Sequence, residues 1–349
     1  MTTVTILGAG AMGSALATPL RARGHAVRLW GTWLDDHLLD AVEAVRPHPR
    51  TGVRVPDGVE PVRSADLDRA LDGADVVVLA TSSEGVEPVI TRAASAIARI
   101  GVLAVTSKGL LPDRTGAVQI LPTFIGGLFS AAGLAVPAIV AIGGPCKANE
   151  VAAGRPTATV YGSADLEVAR RVGRSAQTDA YRIEATSDVI GLEVSAPLKN
   201  VYAIALGYAD GLAERTGEPW HDLKSAVFAQ AVREMAAVSE ALGGTSATVF
   251  GLAGTGDLQV TGLSGRNRVY GARIGAGETP VEALEAMRAA EQTVEGAAAI
   301  GTARSLAERL FTDVPARLPL LHAIDGVLAG RPDPLQALIE ASLPAPIPA

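Results

Sequence analysis

The chain has one cysteine, Cys146, which excludes an internal disulfide and points to a reducing compartment. It has no basic run, and 30 Lys and Arg stand against 37 Asp and Glu, a formal charge of −7. Nucleic acid is therefore not expected as a partner. No charged start with an apolar core precedes the first strand pattern, so no signal peptide is expected. No apolar stretch is expected to be long and uninterrupted enough to span a bilayer, because the longest, 188–210, carries Asp, Glu, Lys and Pro. No internal repeat occurs. A cytoplasmic protein follows, without nucleic-acid, membrane or metal partners. What is present is globular material, 48% hydrophobic and 19% charged over 349 residues, enough for two cores. The Pro/Ala-rich end after Ser342 reads as a loose tail.

At the N-terminus Val4-Thr5-Ile6-Leu7 predicts a strand, Gly8-Ala9-Gly10-Ala11-Met12-Gly13 follows, and Ser14-Ala15-Leu16-Ala17 predicts a helix. Strand, G-x-G-x-x-G and helix is the context a dinucleotide fingerprint requires. Gly8 permits the tight turn, Gly10 lets a pyrophosphate approach the backbone, and Gly13 lets helix and strand pack closely. The phosphates would sit on the helix N-terminus. A second strand, Ala26 to Trp30, follows at the right distance.

Directly after that strand no Asp or Glu stands ready for a ribose hydroxyl and no Arg for a 2′-phosphate. Thr32 or the aspartates at 35 and 36 remain candidates, so NAD and NADP are both open. Trp33 either covers an adenine or fills core. Arg46 to Pro61 reads as an irregular loop. Asp75 to Thr81, Val102 to Thr106 and Ala138 to Ile142 predict buried parallel strands. Ser82, Lys108 and the pair Cys146-Lys147 stand just past their ends, where open α/β sheets bind ligands. Two lysines at that edge favour an anionic substrate. Thr157 to Tyr161 and Tyr181 to Glu184 predict further short strands.

From Asp188 the pattern turns helical. Lys199 and Asn200 lie inside an otherwise apolar or small run, and Lys199 shares a helical face with Leu192, Ser195, Tyr202, Ala203 and Leu206. That predicts a desolvated ammonium able to exchange a proton with a substrate oxygen. Pro197 should remove a backbone hydrogen bond and bend the helix. Further on, Phe250 to Asp257 is a Gly-rich loop that ends in a carboxylate. Thr261 and then Gly265-Arg266-Asn267-Arg268 follow, where a fork-shaped guanidinium and a helix start suit a phosphate. Glu295 opens an alanine-rich helix.

With these residues in view, the chain resembles the NAD(P)-dependent glycerol-3-phosphate dehydrogenase family over nearly its whole length. The carriers are GAGAMGSALA at 8–17, SKG at 107–109, GPCKANEVAAGRPTA at 144–158, LKNVYAIALGYADGL at 198–212, GLAGTGDL at 251–258, GRNR at 265–268 and TVEGAAA at 293–299. The resemblance implies an α/β chain, a Rossmann-type dinucleotide-binding domain at 1–186 followed by an all-α substrate domain at 187–349. It implies reversible reduction of dihydroxyacetone phosphate to sn-glycerol 3-phosphate, a glycerophospholipid precursor, with NADH or NADPH, by a homodimer. Lys199, Lys108, Asp257 and Thr261 would serve the reacting centre. Asn200, Arg266 and Asn267 would hold the phosphate end, with Lys108, Cys146 and Lys147 beside the substrate. Gly8, Gly10, Ala11, Met12, Gly13, Thr32, Trp33, Ser82, Lys108, Ala148, Arg266 and Glu295 would contact the cofactor.

Two features depart from the family's pattern. TGLSGRN at 261–267 is short, as in eukaryotic relatives, and Cys146-Lys147 replaces a bacterial Ser or Thr followed by an apolar or aromatic residue. Another phosphorylated ketose or polyol, or a β-hydroxyacid dehydrogenase or ketopantoate-type substrate, are the alternatives. A nucleotide sensor with a dead site is a rival of another class.

Overall fold

The computed structural model describes residues 2–347. The last two residues of the expected tail lie outside the described residues; 343–347 carry no helix or strand. The chain divides into two compact units, Met1–Leu111 with Gln119–Val189, and Pro112–Val118 with Ile190–Ala349.

The first unit holds β1 (Thr3–Leu7), β2 (Ala26–Trp30), β3 (Val59–Val62), β4 (Val76–Leu79) and β5 (Val102–Val105). Two short strands, β6 (Leu110–Pro112) and β7 (Val118–Ile120), lie outside the main sheet, which β8 (Ala138–Gly143), β9 (Thr157–Gly162) and β10 (Tyr181–Thr186) complete. Its strand order is β10-β9-β8-β5-β4-β1-β2-β3. Every neighbouring pair is parallel except β8 with β9. Strands such as VVVL and VLAV are apolar on both faces because both faces are covered. Side chains alternate between two core clusters: Val4, Ile6, Val78 and Ala104 enter one, and Leu7, Val77, Leu79, Leu103 and Val105 the other. Helices α1 (Ala11–Ala22), α2 (Asp36–Glu43), α3 (Leu67–Leu71), α4 (Ser83–Ile100), α5 (Leu121–Ala131), α6 (Ala148–Ala152) and α7 (Leu166–Ala176) accompany the sheet. The last three residues of the stretch expected to be an irregular loop belong to β3, paired with β2 at the sheet's edge. Pro61 masked it in the sequence, and an edge strand tolerates a proline.

The second unit is helical. Its elements are α8 (Val189–Thr216), α9 (His221–Ala241), α10 (Ser246–Phe250), α11 (Asp257–Ser264), α12 (Arg266–Ala276), α13 (Pro280–Ala289), α14 (Glu295–Leu310), α15 (Val314–Arg317), α16 (Pro319–Leu328) and α17 (Pro334–Ser342). α8 continues as one helix through Pro197. By length and hydropathy alone it is apolar enough to cross a membrane, despite its charged residues. Its most apolar window is 89% buried inside the protein, which marks it as a core helix.

Glycines let α8 and α12 come close. A Cβ at Gly207 would lie 2.0 Å from the Arg268 carbonyl oxygen, and one at Gly211 would lie 1.8 Å from that of Ala272. The reverse holds on α12, where a Cβ at Gly271 would lie 1.9 Å from the Ile204 oxygen and one at Gly275 2.1 Å from the Tyr208 oxygen. No side chain larger than hydrogen fits at these four positions with the helices this close.

Candidate active site

In the first unit the fingerprint turn is built as its spacing predicts. Gly8 has φ +117°, a conformation that L side chains rarely adopt, and its N–H donates to the Trp30 carbonyl at 2.8 Å. A Cβ on Gly13 would sit 2.0 Å from the Gly8 oxygen, so strand and helix could not pack as they do. Gly10 differs: its φ of −65° suits any residue, and a Cβ there would meet nothing within 4 Å. The protein itself does not demand a glycine at that point. Gly10 also precedes α1, whose first turn has no side-chain cap. A bare helix start beside open space suits the pyrophosphate of a dinucleotide.

Ala9, between the two glycines, is held on both sides. Its N–H donates to Asp35 Oδ2 at 3.3 Å, and its carbonyl accepts from His48 Nε2 at 2.9 Å. Asp35 Oδ2 also accepts from the Thr32 N–H and the Thr32 hydroxyl, each at 2.9 Å. Asp35 is therefore turned inward, at 7% exposure, and its carboxylate serves the turn. Asp36 is exposed on α2, 3.6 Å from Arg63. Trp33 is 51% exposed, so of its two expected roles the core one is excluded.

β1, β4, β5 and β8 run parallel, so their C-terminal ends share one edge. Gly8 to Gly13, Ser82, Lys108 and Cys146-Lys147 follow those ends. Ser82 is exposed at the start of α4. The Thr106 N–H donates to the Leu79 carbonyl at 2.9 Å and the Ser107 hydroxyl to the Thr81 carbonyl at 2.7 Å. These bonds tie the ends of β4 and β5 just before the half-buried Lys108. Cys146, Lys147 and Ala148 are likewise half-buried. Cys146 and Ala148 pack with Met12 against the same apolar cluster. Lys147 precedes α6, whose Glu150 and Val151 N–H groups donate to its carbonyl.

In the second unit the expected residues form two neighbouring polar groups. Lys199 Nζ donates to Asp257 Oδ1, and both are buried, at 6% and 1% exposure. The ammonium that appears isolated in the sequence is thus paired as well as desolvated. Its partner begins α11, directly after a π-helical turn at Leu252–Gly256. Within that turn a Cβ on Gly254 would lie 2.2 Å from the Val249 oxygen, which explains part of the motif's glycine content. The Thr261 hydroxyl donates to the Asp257 carbonyl at 2.7 Å.

Asn200 faces a different helix. Its Nδ2 donates to Glu295 Oε2 at 2.8 Å, and the Arg266 guanidinium donates to Glu295 Oε1 at 3.0 Å. Asn267 Oδ1 accepts from the Gly296 N–H at 2.8 Å. A Cβ on Gly296 would lie 2.2 Å from the Asn200 oxygen, so the start of α14 presses against α8. The buried Asn200 and Asn267 and the half-exposed Arg266 and Glu295 are one hydrogen-bonded group.

Two buried carboxylates, Glu193 and Glu234, have no counterpart among the sequence expectations. Glu234 on α9 accepts from the Leu320 and Leu321 N–H groups at 2.6 and 2.9 Å, from Gln230 at 2.9 Å and from the Tyr202 hydroxyl at 3.0 Å. It caps α16 and anchors α8 through Tyr202. Burial pushes its carboxyl above the ordinary glutamate range, although those four donors pull the other way. No local pattern marks it, because its partners are 32 and 86 residues away.

Two family models cover the chain. Residues 3–169 match the NAD-dependent glycerol-3-phosphate dehydrogenase N-terminus, and 188–339 match its C-terminus. An NADP(+)-dependent glycerol-3-phosphate dehydrogenase of Archaeoglobus fulgidus is 38% identical, over 93% of this chain and 94% of that protein. A glycerol-3-phosphate dehydrogenase [NAD(P)+] of Halorhodospira halophila is 34% identical, over 90% and 89%. The crystal structure of a glycerol-3-phosphate dehydrogenase from Coxiella burnetii superposes with a TM-score of 0.79 at 28% identity, covering 97% of this chain and 98% of that one.

Proposed function

The chain belongs to the NAD-dependent glycerol-3-phosphate dehydrogenase family, and on that premise we propose that it interconverts dihydroxyacetone phosphate and sn-glycerol 3-phosphate with NAD(H) or NADP(H). The observation that carries the assignment to a site is the buried Lys199–Asp257 pair, with Asn200 as the next residue on the same helix. The turn at Gly8, Gly10 and Gly13 would hold the dinucleotide, with Ala11, Met12, Thr32, Trp33, Ser82, Lys108, Ala148, Arg266 and Glu295 as its further contacts. When bound, the cofactor supplies or accepts the hydride at C2.

Reduction of a carbonyl builds negative charge on its oxygen. Lys199 is the proton donor to that oxygen, and Lys108 stabilises the developing charge. Asp257 keeps the Lys199 ammonium placed, and Thr261 braces the backbone of Asp257. Arg266, Asn200 and Asn267 receive the phosphate. In this structure the Glu295 carboxylate takes hydrogen bonds from Arg266 and Asn200, so both have the geometry to serve an anion. Cys146 and Lys147 line the substrate side of the first unit. The domain boundary near 187, a homodimer and a cytoplasmic location belong to the same proposal; sedimentation at twice the chain mass would support the dimer.

Arg266→Ala with dihydroxyacetone and with its phosphate tests the assignment. Losing a charge-assisted bond of about 1.5–3 kcal/mol should cost roughly 10- to 150-fold in kcat/KM on the phosphate. On dihydroxyacetone, already poor with the parent enzyme, it should cost far less, because both changes remove one contact. Equal losses on both substrates would take the phosphate away from Arg266.

A further inference from the structure

His48 lies in the Pro/Gly-rich segment that the sequence presents as a featureless loop, yet it is fully buried. The segment folds around it. The His48 N–H donates to the Val53 carbonyl at 3.0 Å, its carbonyl accepts from the Thr51 and Gly52 N–H groups at 3.2 and 2.9 Å, and Pro47 bridges to Arg54. The imidazole then reaches out of this fold to the fingerprint turn. A carbonyl can only accept, so Nε2 carries the proton that bonds Ala9 O. Nδ1 is the acceptor for the Arg50 N–H at 3.3 Å. From the opposite side of Ala9, Asp35 accepts its N–H. Both polar atoms of one peptide-linked residue, flanked by Gly8 and Gly10, are thus fixed by side chains: the N–H by Asp35, 26 residues away, and the carbonyl by His48, 39 residues away, together with the Ser14 hydroxyl of α1 at 3.0 Å.

We propose that His48 and Asp35 are positioning residues for dinucleotide binding: they clamp Ala9 so that the amides of the turn are already aimed when the cofactor's pyrophosphate arrives. This rests on the assignment of that turn to the dinucleotide. Two flanking glycines leave the unclamped turn many conformations, and choosing one at the moment of binding would lower affinity. A clamp that works through the ground-state shape of the turn acts on cofactor affinity and leaves proton transfer in the second unit alone. Asp35 Oδ2 is committed to Ala9 and Thr32.

The neutral imidazole is essential to the arrangement. Burial pushes the His48 pKa below the ordinary histidine value, assisted by Arg50 and His37 and opposed by the Ala9 carbonyl and Asp35. Protonation would turn Nδ1 from an acceptor into a donor facing the Arg50 N–H. Cofactor affinity should therefore be full above the ordinary histidine range and fall as pH drops through the lowered pKa.

The test is titration of wild type, His48→Ala and His48→Gln with NADH and NADPH, followed by steady-state kinetics. His48→Ala should weaken binding of both by about 2- to 10-fold, because the Ala9 carbonyl loses one of its two donors and keeps the Ser14 hydroxyl at 3.0 Å. Its kcat at saturating cofactor and its KM for dihydroxyacetone phosphate should stay within about twofold of wild type. His48→Gln keeps an N–H that reaches Ala9, so it should recover most of the affinity. It should also lose the acid-side fall in affinity, since His37 and Asp35 remain and only His48 stops titrating. Unchanged affinity in a folded His48→Ala overturns the clamp, as does an equal rise in both KM values. If His48→Ala does not fold, a His48→Gln profile as pH-dependent as wild type overturns it. Wild type that bound neither nucleotide would defeat the dinucleotide assignment itself.

Discussion

Ala9 and Lys199 are both buried and both central to their units, but they are held by opposite means. At the fingerprint turn the site is made of glycines and backbone amides, and side chains hold them in shape. Around α8 the candidate site is made of paired side chains, and glycines do the holding, at Gly207 and Gly211 against Gly271 and Gly275. The distance along the chain differs as well. Ala9 finds its partners 5, 26 and 39 residues on, Lys199 its carboxylate 58 residues on, and Asn200 its carboxylate 95 residues on. A site made of backbone can be compact in sequence, because its geometry is local. A site made of side chains has to be gathered by packing.

The largest effect should come from the side-chain site. Lys199→Met removes the proton donor and should lower turnover by roughly 10²- to 10⁴-fold, with nicotinamide dinucleotide affinity nearly unchanged in a binding titration. Near-normal turnover would make Lys199 a structural residue and Asp257 its counter-ion only.

Next in size are the glycines that hold that site. Gly271→Ala places a methyl group 1.9 Å from a backbone oxygen, so α8 and α12 must separate. A cost of about 1–3 kcal/mol is expected for such overpacking. Because Arg266 and Asn267 open α12, the substrate KM should rise along with the loss of thermal stability. A variant as stable as wild type would show that the helix crossing has slack.

An effect of similar size, but confined to stability, concerns Glu234. Glu234→Gln turns an NH₂ toward N–H and O–H donors, which should cost about 1–3 kcal/mol and several degrees of melting temperature, with both KM values unchanged. Its pH dependence has a definite sign. The folded-state pKa is raised, so this carboxyl favours folding most below its unfolded pKa, and that contribution is lost as pH rises through the folded pKa. The stability advantage of wild type over Glu234→Gln should therefore narrow from acid to neutral pH. A gap that widened would mean that the four hydrogen bonds outweigh burial.

The same contrast explains what could be read in advance. The strands β1, β2, β4, β5 and β8, the Gly-rich turn and the starts of α12 and α14 follow from runs of apolar residues and from glycine spacing, which act locally. Lys199 stood out because no other charged residue occurs between Val194 and Ala209. Asp257 was noticeable only as a carboxylate at the end of a Gly-rich loop; nothing local said that it met Lys199. His48, Glu234 and the inward turn of Asp35 had no periodic signal at all, since burial of a single polar group depends on partners that packing supplies. β3 was hidden by Pro61, whose effect on a strand depends on whether that strand lies at an edge.

Lys199 and Asn200 follow one another on a single buried helix, and successive residues on a helix differ by about 100° in direction and 1.5 Å in height. One of them therefore looks toward α11 and the other toward α14. Glycine crossings fix α8 in place, so it cannot slide or roll to adjust one of these residues without displacing the other. The span from the ammonium to the amide acts as a fixed gauge, graduated only in whole residues. With Lys199 at the carbonyl and Asn200 at the phosphate, as proposed, a substrate with one more carbon between the two could not be met by shifting α8; it would have to be met by new side chains on the helices around it.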